Sequence, residues 1–214
     1  MTKKLLFFLL LATTACATQI ERVIQKTDPK VVKIGIVGEK GAGTCSGAVI
    51  AEDGLTLTCA HCFDHPNIKK VFIKSAKGEV YTASLVKIDF KKDLALIVPN
   101  EIADFPYFQY GIEPKKGQQV LSFGSPLGLQ GNDSVGWVTD FINGNSIAGK
   151  GRYIIHSAFI NPGNSGGPLV DLKGRLIGIN EATVGYGFFQ EAQGFFVAID
   201  IQTIKEFVGL DKLK

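Results

Sequence analysis

The sequence predicts an all-β fold, either a barrel or a sandwich. Short runs rich in Val, Ile, Thr and aromatic residues recur from Val31 onward, each too short for an ordinary helix. Twenty-five glycines punctuate them, as turns between strands require. A helical apolar period is nearly absent until the last segment. There Asp200 can cap a helix over Ile201–Val208, with Ile201, Ile204 and Val208 on one face and Gly209 as its stop. With 214 residues the chain has room for one domain or two small packed halves. Charged residues are 20% and hydrophobic ones 45%, a globular rather than disordered balance.

In chain order, residues 1–17 read as an export signal: Lys3-Lys4 is basic, Leu5 to Ala12 is apolar, and small residues follow. The apolar run is too short for a spanning helix. Two processing outcomes are open. Ala15-Cys16-Ala17 fits a cut after Ala17, whereas Thr13-Thr14-Ala15-Cys16 resembles a bacterial lipobox that leaves Cys16 as a lipidated N-terminus. The lipobox is preferred, because the only cysteine near the signal stands where the lipid would go. Either outcome sends the chain out of the cytosol, to the cell envelope or beyond, where disulfides form. Loss of Lys3 and Lys4 takes the formal net charge from +3 to about +1, too little to argue for a nucleic-acid partner. Membrane contact is expected only through a lipid on Cys16, and nothing in the sequence sets an oligomeric state. Residues 18–29 are polar and read as a leader.

The strands follow. Val31 to Val37, Thr44 to Ile50 and Leu55 to Thr58 are separated by Glu39-Lys40-Gly41-Ala42-Gly43 and Glu52-Asp53-Gly54. Further runs are 71–74, 80–88, 94–98, 119–123, 134–141, 153–156, 168–171, 175–179 and 194–199. No internal repeat of fixed period is visible.

Asn161-Pro162-Gly163-Asn164-Ser165-Gly166-Gly167-Pro168-Leu169 is the most informative stretch. Glycine permits turns and close approaches that a Cβ would block. A serine on such a turn can project its hydroxyl while backbone N–H groups converge beside it, as an oxyanion hole requires. Ser165 is therefore a candidate nucleophile, although the string also suits a plain turn between strands. It also fits G-x-S-x-G of the α/β-hydrolases, but those enzymes place Asp and His after the serine. Here His61, His65 and His156 all precede Ser165, which leaves the order His, Asp, Ser.

Thr58-Cys59-Ala60-His61-Cys62 puts a histidine just after a buried-looking strand, where imidazole can take a hydroxyl proton near neutral pH. His65 sits in a polar turn, and His156 can line a pocket or merely pack. Lys92-Asp93-Leu94-Ala95-Leu96-Ile97 offers an acid at the head of an apolar strand, where a carboxylate needs a partner such as an imidazole N–H. Asp89, its nearest competitor, lies in an exposed-looking turn.

Together these stretches, in this order, resemble the chymotrypsin-fold serine proteases and most closely the HtrA/Deg peptidase domain. Thr44 to Ile50, Leu57 to His61, Lys92 to Leu96, Gly124 to Gly128, Asn161 to Leu169 and Ile177 to Asn180 all match in sequence order. The resemblance covers about residues 30–208. It implies two six-stranded β-barrels with a short C-terminal helix: a protease domain over 30–214, barrel one about 30–110, barrel two about 111–200 and the helix at 201–208. It further implies a serine endopeptidase acting on polypeptides without metal or cofactor. Ser165 would be the nucleophile, His61 the base and Asp93 its partner, with backbone N–H groups of Gly163, Asn164 and Ser165 forming the oxyanion hole. Phe159, Ile160, Ile179, Asn180 and Phe196 would line the primary pocket. No acid stands at its floor, so a basic side chain is not expected there. Phe196 turned inward favours small aliphatic residues such as Val or Ala; turned outward it leaves a wider apolar slot. The chain ends soon after the helix, with no room expected for the PDZ domain common in the HtrA group.

Departures from the group are informative. Cys45 and Cys62 stand where trypsin-like digestive proteases carry a disulfide that the HtrA group usually lacks, so a Cys45–Cys62 bridge is expected, with Cys59 a buried free thiol. A rival zinc cluster of Cys59, His61, Cys62 and His65 is crowded into one short loop. Gly144 to Lys150 fits G-x-x-x-x-G-K, but Gly151 follows where Ser or Thr must bind magnesium. Ile36-Val37-Gly38 resembles the new N-terminus of activated zymogens, yet Asn164 replaces the aspartate that receives it, so no activation cut is expected before Ile36. The alternatives from other classes are a catalytically silent peptide-binding or chaperone-like protein on the same fold, and an esterase-like hydrolase.

Overall fold

The computed structural model describes residues 19–39, 41–125, 131–146, 149–181 and 195–210; the expected signal, Cys16 and part of the loop between Gly124 and Ser134 lie outside them. Twelve antiparallel strands close into two six-stranded barrels, as the resemblance implies. Barrel one contains β1 (Val31–Gly38), β2 (Gly41–Val49), β3 (Thr56–Thr58), β4 (Lys70–Lys74), β5 (Val80–Asp89) and β6 (Leu94–Pro99). Barrel two contains β7 (Gln119–Gly124), β8 (Asn132–Ser146), β9 (Gly149–His156), β10 (Pro168–Asp171), β11 (Leu176–Asn180) and β12 (Phe196–Asp200). The orders β1-β2-β3-β6-β5-β4 and β7-β8-β9-β12-β11-β10 are the same path taken twice. The sequence shows no trace of this repeat, because only the in–out pattern of each strand has to be kept and many apolar residues can keep it.

The inward residues explain the closure. Val32, Ile34, Ile73 and Ile97 are fully buried on one face of barrel one, and Ile154, Leu169 and Ile177 join Val120, Val138 and Ala198 in the apolar cluster of barrel two. Closing each sheet on itself leaves no free edge to pair with other chains. The connection between barrels is stapled rather than loose: Phe108 N–H donates to the Val49 carbonyl at 2.9 Å, and Gly111 N–H to the Leu176 carbonyl at 2.7 Å. Ile36 is 1% exposed in the middle of β1, paired with Gly43 and Val71, so it is sheet interior and not a new chain end. Gly144, Asn145 and Ser146 pair with Gly151, Lys150 and Gly149 in the β8–β9 ladder, so the described residues of that string lie in strands.

One segment differs from its reading as a polar leader. Residues 19–27 are helical (α1), with Val23 and Thr27 buried and Ile20 and Ile24 packed against the core. The i, i+3, i+4, i+7 spacing of those four residues is a short apolar stripe among charges. It rests on the β10–β11 turn, where Thr27 Oγ1 lies 3.2 Å from the position a Cβ on Gly174 would take. The C-terminal helix α2 (Ile201–Val208) stands as expected: the Asp200 carboxylate accepts the Gln202 N–H at 2.8 Å, and Gly209 closes it at φ 86°. Among the described residues no helix is long and apolar enough to cross a membrane.

Candidate active site

β3 delivers Cys59 in an extended conformation, and the chain then tightens into a 3-10 turn over Ala60–Phe63 that carries His61. Asp93, just ahead of β6, clasps that turn three times. Its carbonyl accepts the Ala60 N–H at 3.1 Å, Oδ1 accepts the His61 backbone N–H at 2.8 Å, and Oδ2 lies 2.7 Å from His61 Nδ1. The clasp needs a left-handed residue (φ 52°), a region where Asp is tolerated better than most side chains. Pairing Nδ1 with a carboxylate puts the ring proton on Nδ1 and leaves Nε2 as the free acceptor. The Asp93 side chain is 7% exposed and that of His61 43%, so one partner is walled in while the other faces the cleft. Burial, the largest influence on His61, pulls its pKa down; the Asp93 hydrogen bond and charge, with Glu181 and Asp64, raise it above the ordinary value.

Cys62 is bonded to Cys45, as expected, with the Cα atoms 6.3 Å apart. The bridge ties the His61 turn to β2. It also removes Cys62 as a ligand from the rival zinc cluster, and His65 lies against the β1–β2 hairpin at Gly43. Cys59 is a buried free thiol whose S–H points to the Asn180 carbonyl at 3.4 Å. Burial pushes that thiol well up, so it stays protonated, although it lies within 4.8 Å of ligand atoms of His61 and Asp93.

Ser165 sits on a double turn. Asn164 N–H donates to the Asn161 carbonyl at 2.9 Å, and Gly167 N–H to the Asn164 carbonyl at 2.8 Å. The Asn164 N–H is therefore engaged within the turn, and this corrects its expected place in the oxyanion hole. The N–H groups of Gly163 and Ser165 have no backbone acceptor among the described residues. Gly166, at φ 84°, brings barrel two onto barrel one: a Cβ there would lie 2.1 Å from Thr58 Oγ1 and 2.3 Å from the Ser46 carbonyl. Only glycine fits, and Thr58 is three residues before His61. The structure thus gathers the His61, Asp93 and Ser165 segments at one inter-barrel contact.

The expected pocket residues separate. Phe196 is 7% exposed, with its ring centroid 5.5 Å from that of Phe159 and 6.1 Å from that of His156. Ile160 and Ile179 are buried in the packing, and the Asn180 amide donates into barrel two, to Ser122 Oγ at 2.9 Å and the carbonyls of Phe123 and Pro168. These three support the slot rather than present side chains to it. His156 joins the Phe196 wall; burial drives its pKa down to about 3, partly offset by the Ala158 backbone, so the ring is neutral. One residue escaped the sequence reading. Glu181 follows the inward-facing Asn180 and so turns its side chain to the opposite face, towards Cys59, His61 and Asp93, with Oε2 buried and unpartnered among the described residues. The signal was available in strand alternation: a carboxylate directly after an apolar strand whose last side chain points inward.

Burial and then the Asp93 charge push the Glu181 carboxyl up to about 8, with His61 pulling the other way. Between its ordinary 4.5 and about 8 the folded chain keeps a proton that the unfolded chain releases, so stability falls as pH rises through that window. Glu181→Gln removes this loss. Its melting temperature should exceed the parent's by a few degrees at pH 8 and match it at pH 4; coincident curves at pH 8 would mean the carboxyl is not strained there.

Comparison with known proteins agrees with this geometry. Residues 45–179 match the family model described as a trypsin-like peptidase domain. Serine protease HTRA1 of Xenopus laevis is 35% identical over 184 residues, covering 79% of this chain and 40% of that protein. Putative serine protease HhoB of Synechocystis is 36% identical over 167 residues, covering 75% and 38%. The chain spans about 40% of the length of these curated relatives. Among solved structures, the HtrA-type protease AlgW with a tripeptide superposes with a TM-score of 0.79 at 25% identity, covering 87% of this chain and 61% of that one.

Proposed function

This chain belongs to the trypsin-like peptidase family, and from that premise we propose that it is an HtrA-type serine endopeptidase working through Ser165, His61 and Asp93. The observation that carries the reading is the His61–Asp93 pair, 2.7 Å apart, on the turn just after Thr58, against which Gly166 beside Ser165 is seated. In this mechanism Ser165 Oγ attacks the scissile carbonyl while His61 Nε2 takes its proton. The same imidazolium then protonates the leaving amine, and water hydrolyses the acyl-enzyme by the reverse path. Asp93 keeps the proton on Nδ1 and stabilises the imidazolium. The N–H groups of Gly163 and Ser165 receive the oxyanion, each worth about 3 kcal/mol of barrier.

Substrates in this reading are polypeptides; AlgW, the solved relative, is an HtrA-type protease determined with a tripeptide. The inward Phe196 shortens the primary pocket and favours a small aliphatic residue such as Val or Ala before the scissile bond. The chain works outside the cytosol, in the cell envelope, with Cys16 as a lipid anchor. The Cys45–Cys62 bridge supports an oxidising compartment.

A fluorophosphonate probe should label the mature chain at Ser165, and Ser165→Ala should lose both labelling and peptide cleavage. A chain that cleaves no peptide and takes no label, beside a control protease that does, would favour the silent-binder alternative. Activity needs neutral His61, whose folded pKa is raised, so kcat/KM should climb with pH through a midpoint above 6.5, and Asp93→Asn should lower kcat by roughly 10⁴. A flat profile from pH 5 to 8 would count against His61 as the base. Peptide-library cleavage should be enriched in Val and Ala before the scissile bond; a profile dominated by Lys and Arg would overturn the pocket assignment.

A further inference from the structure

Ser46 lies in β2, in the other barrel from the nucleophile turn, and is fully buried. A buried hydroxyl is costly unless bonded, and both bonds of this one run to the proposed catalytic region. Its Oγ–H donates to the Gly163 carbonyl at 2.7 Å, and the same oxygen accepts the Ser125 N–H at 2.8 Å. The backbone of Ser46 adds two contacts: its N–H donates to the Ser165 carbonyl at 2.8 Å, and its carbonyl accepts the Thr58 hydroxyl at 2.8 Å.

The pattern of these contacts is specific. The Gly163 carbonyl belongs to the peptide joining Gly163 to Asn164, and the Ser165 carbonyl to the peptide joining Ser165 to Gly166. Between them lies the peptide that carries the Ser165 N–H, so Ser46 holds the planes on either side of an oxyanion donor. The Gly166 N–H is fixed in turn to the Asn180 carbonyl at 2.8 Å. Donation from Ser125 into Oγ polarises its O–H towards Gly163, so the two bonds reinforce each other. Cys45, the neighbour of Ser46, is bonded to Cys62, the neighbour of His61. One covalent link thus joins the residue that sets the nucleophile turn to the residue proposed as its base.

We propose that Ser46 is a positioning residue that preorganises the oxyanion hole from barrel one, through its hydroxyl bond to Gly163 and its backbone bond to Ser165. It touches no substrate; it sets the orientation of groups that do. The inference rests on Ser165 being the nucleophile. Losing the hydroxyl leaves the Gly163–Asn164 peptide held only through the Asn164 N–H, and Ser125 without its acceptor. The loss falls on the transition state, where the oxyanion forms, more than on ground-state binding.

The test compares Ser46→Ala and Ser46→Thr with the parent on one peptide substrate, with competent sites counted by fluorophosphonate titration. Ser46→Ala should lose about tenfold or more in kcat per titrated site, with KM within about threefold. Affinity for a peptide aldehyde, which forms an oxyanion adduct, should fall in parallel with kcat. Ser46→Thr keeps the hydroxyl and should recover most of the activity. The assignment is overturned if Ser46→Ala turns over at the parental kcat per site, or if its KM rises while kcat holds. If Ser46→Ala does not fold, Ser46→Cys, close in volume but a weak donor, carries the same expectation and the same overturning results once the Cys45–Cys62 bridge is verified by mass mapping. A parent that takes no label at Ser165 would instead sink the protease reading, so the two failures are distinguishable.

Discussion

The backbone contact between β2 and the Ser165 turn is the constraint on which the rest of the site depends. Ser46 N–H to the Ser165 carbonyl, and Gly166 seated against Thr58 and Ser46, bring two independently closed barrels to van der Waals distance. A closed barrel has no free edge with which to pair a neighbour, so its partners must be met by turns and by side chains at strand ends. The cleft residues are of that kind: His61 on the turn after β3, Asp93 ahead of β6, Ser165 ahead of β10 and Glu181 after β11. Glycine at 166 is what lets the approach be close enough for those ends to share one site.

Within that contact, unequal burial sorts the ionisable groups. Asp93 is nearly enclosed, and both carboxyl oxygens are partnered, Oδ1 by the His61 backbone N–H and Oδ2 by the imidazole. His61 has one ring nitrogen in that compensated environment and the other facing solvent. Among the described residues Glu181 Oε2 has no such partner, and Cys59 is fully buried; both groups are therefore held neutral near pH 7. Of these acidic groups, Asp93 is the one paired with the imidazole.

The disulfide and α1 consolidate the two barrels at different places. Cys45–Cys62 closes a short loop across the β2–β3 hairpin and the His61 turn, so ordering of the two segments is shared. Helix α1 precedes barrel one in sequence but rests on the β10–β11 turn of barrel two, adding a second inter-barrel contact through Thr27 and Gly174. The cleft is thus stiffened by one covalent link, while a segment that a composition-based reading assigns to a polar leader braces the far end of β10 and β11.

The sequence by itself determined the strands, the closing helix and the candidate site. The strands are visible because alternation of apolar residues is local, and α2 because Asp200 and Gly209 mark its ends. His61, Asp93 and Ser165 are visible because their neighbours are restricted: small residues around His61, an apolar strand after Asp93, glycines around Ser165. The resemblance to a known family then named the cysteine pair. Tertiary structure alone decided what depends on residues far apart in sequence meeting. It buried Phe196 against Phe159 and His156, committed the Asn164 N–H to its own turn, folded α1 onto the second barrel and set Glu181 beside His61. It also gave the Ser46 hydroxyl its partner 117 positions away. A one-dimensional pattern reports which face of a strand a residue occupies; which atoms lie across from it is settled only when the two barrels close against each other.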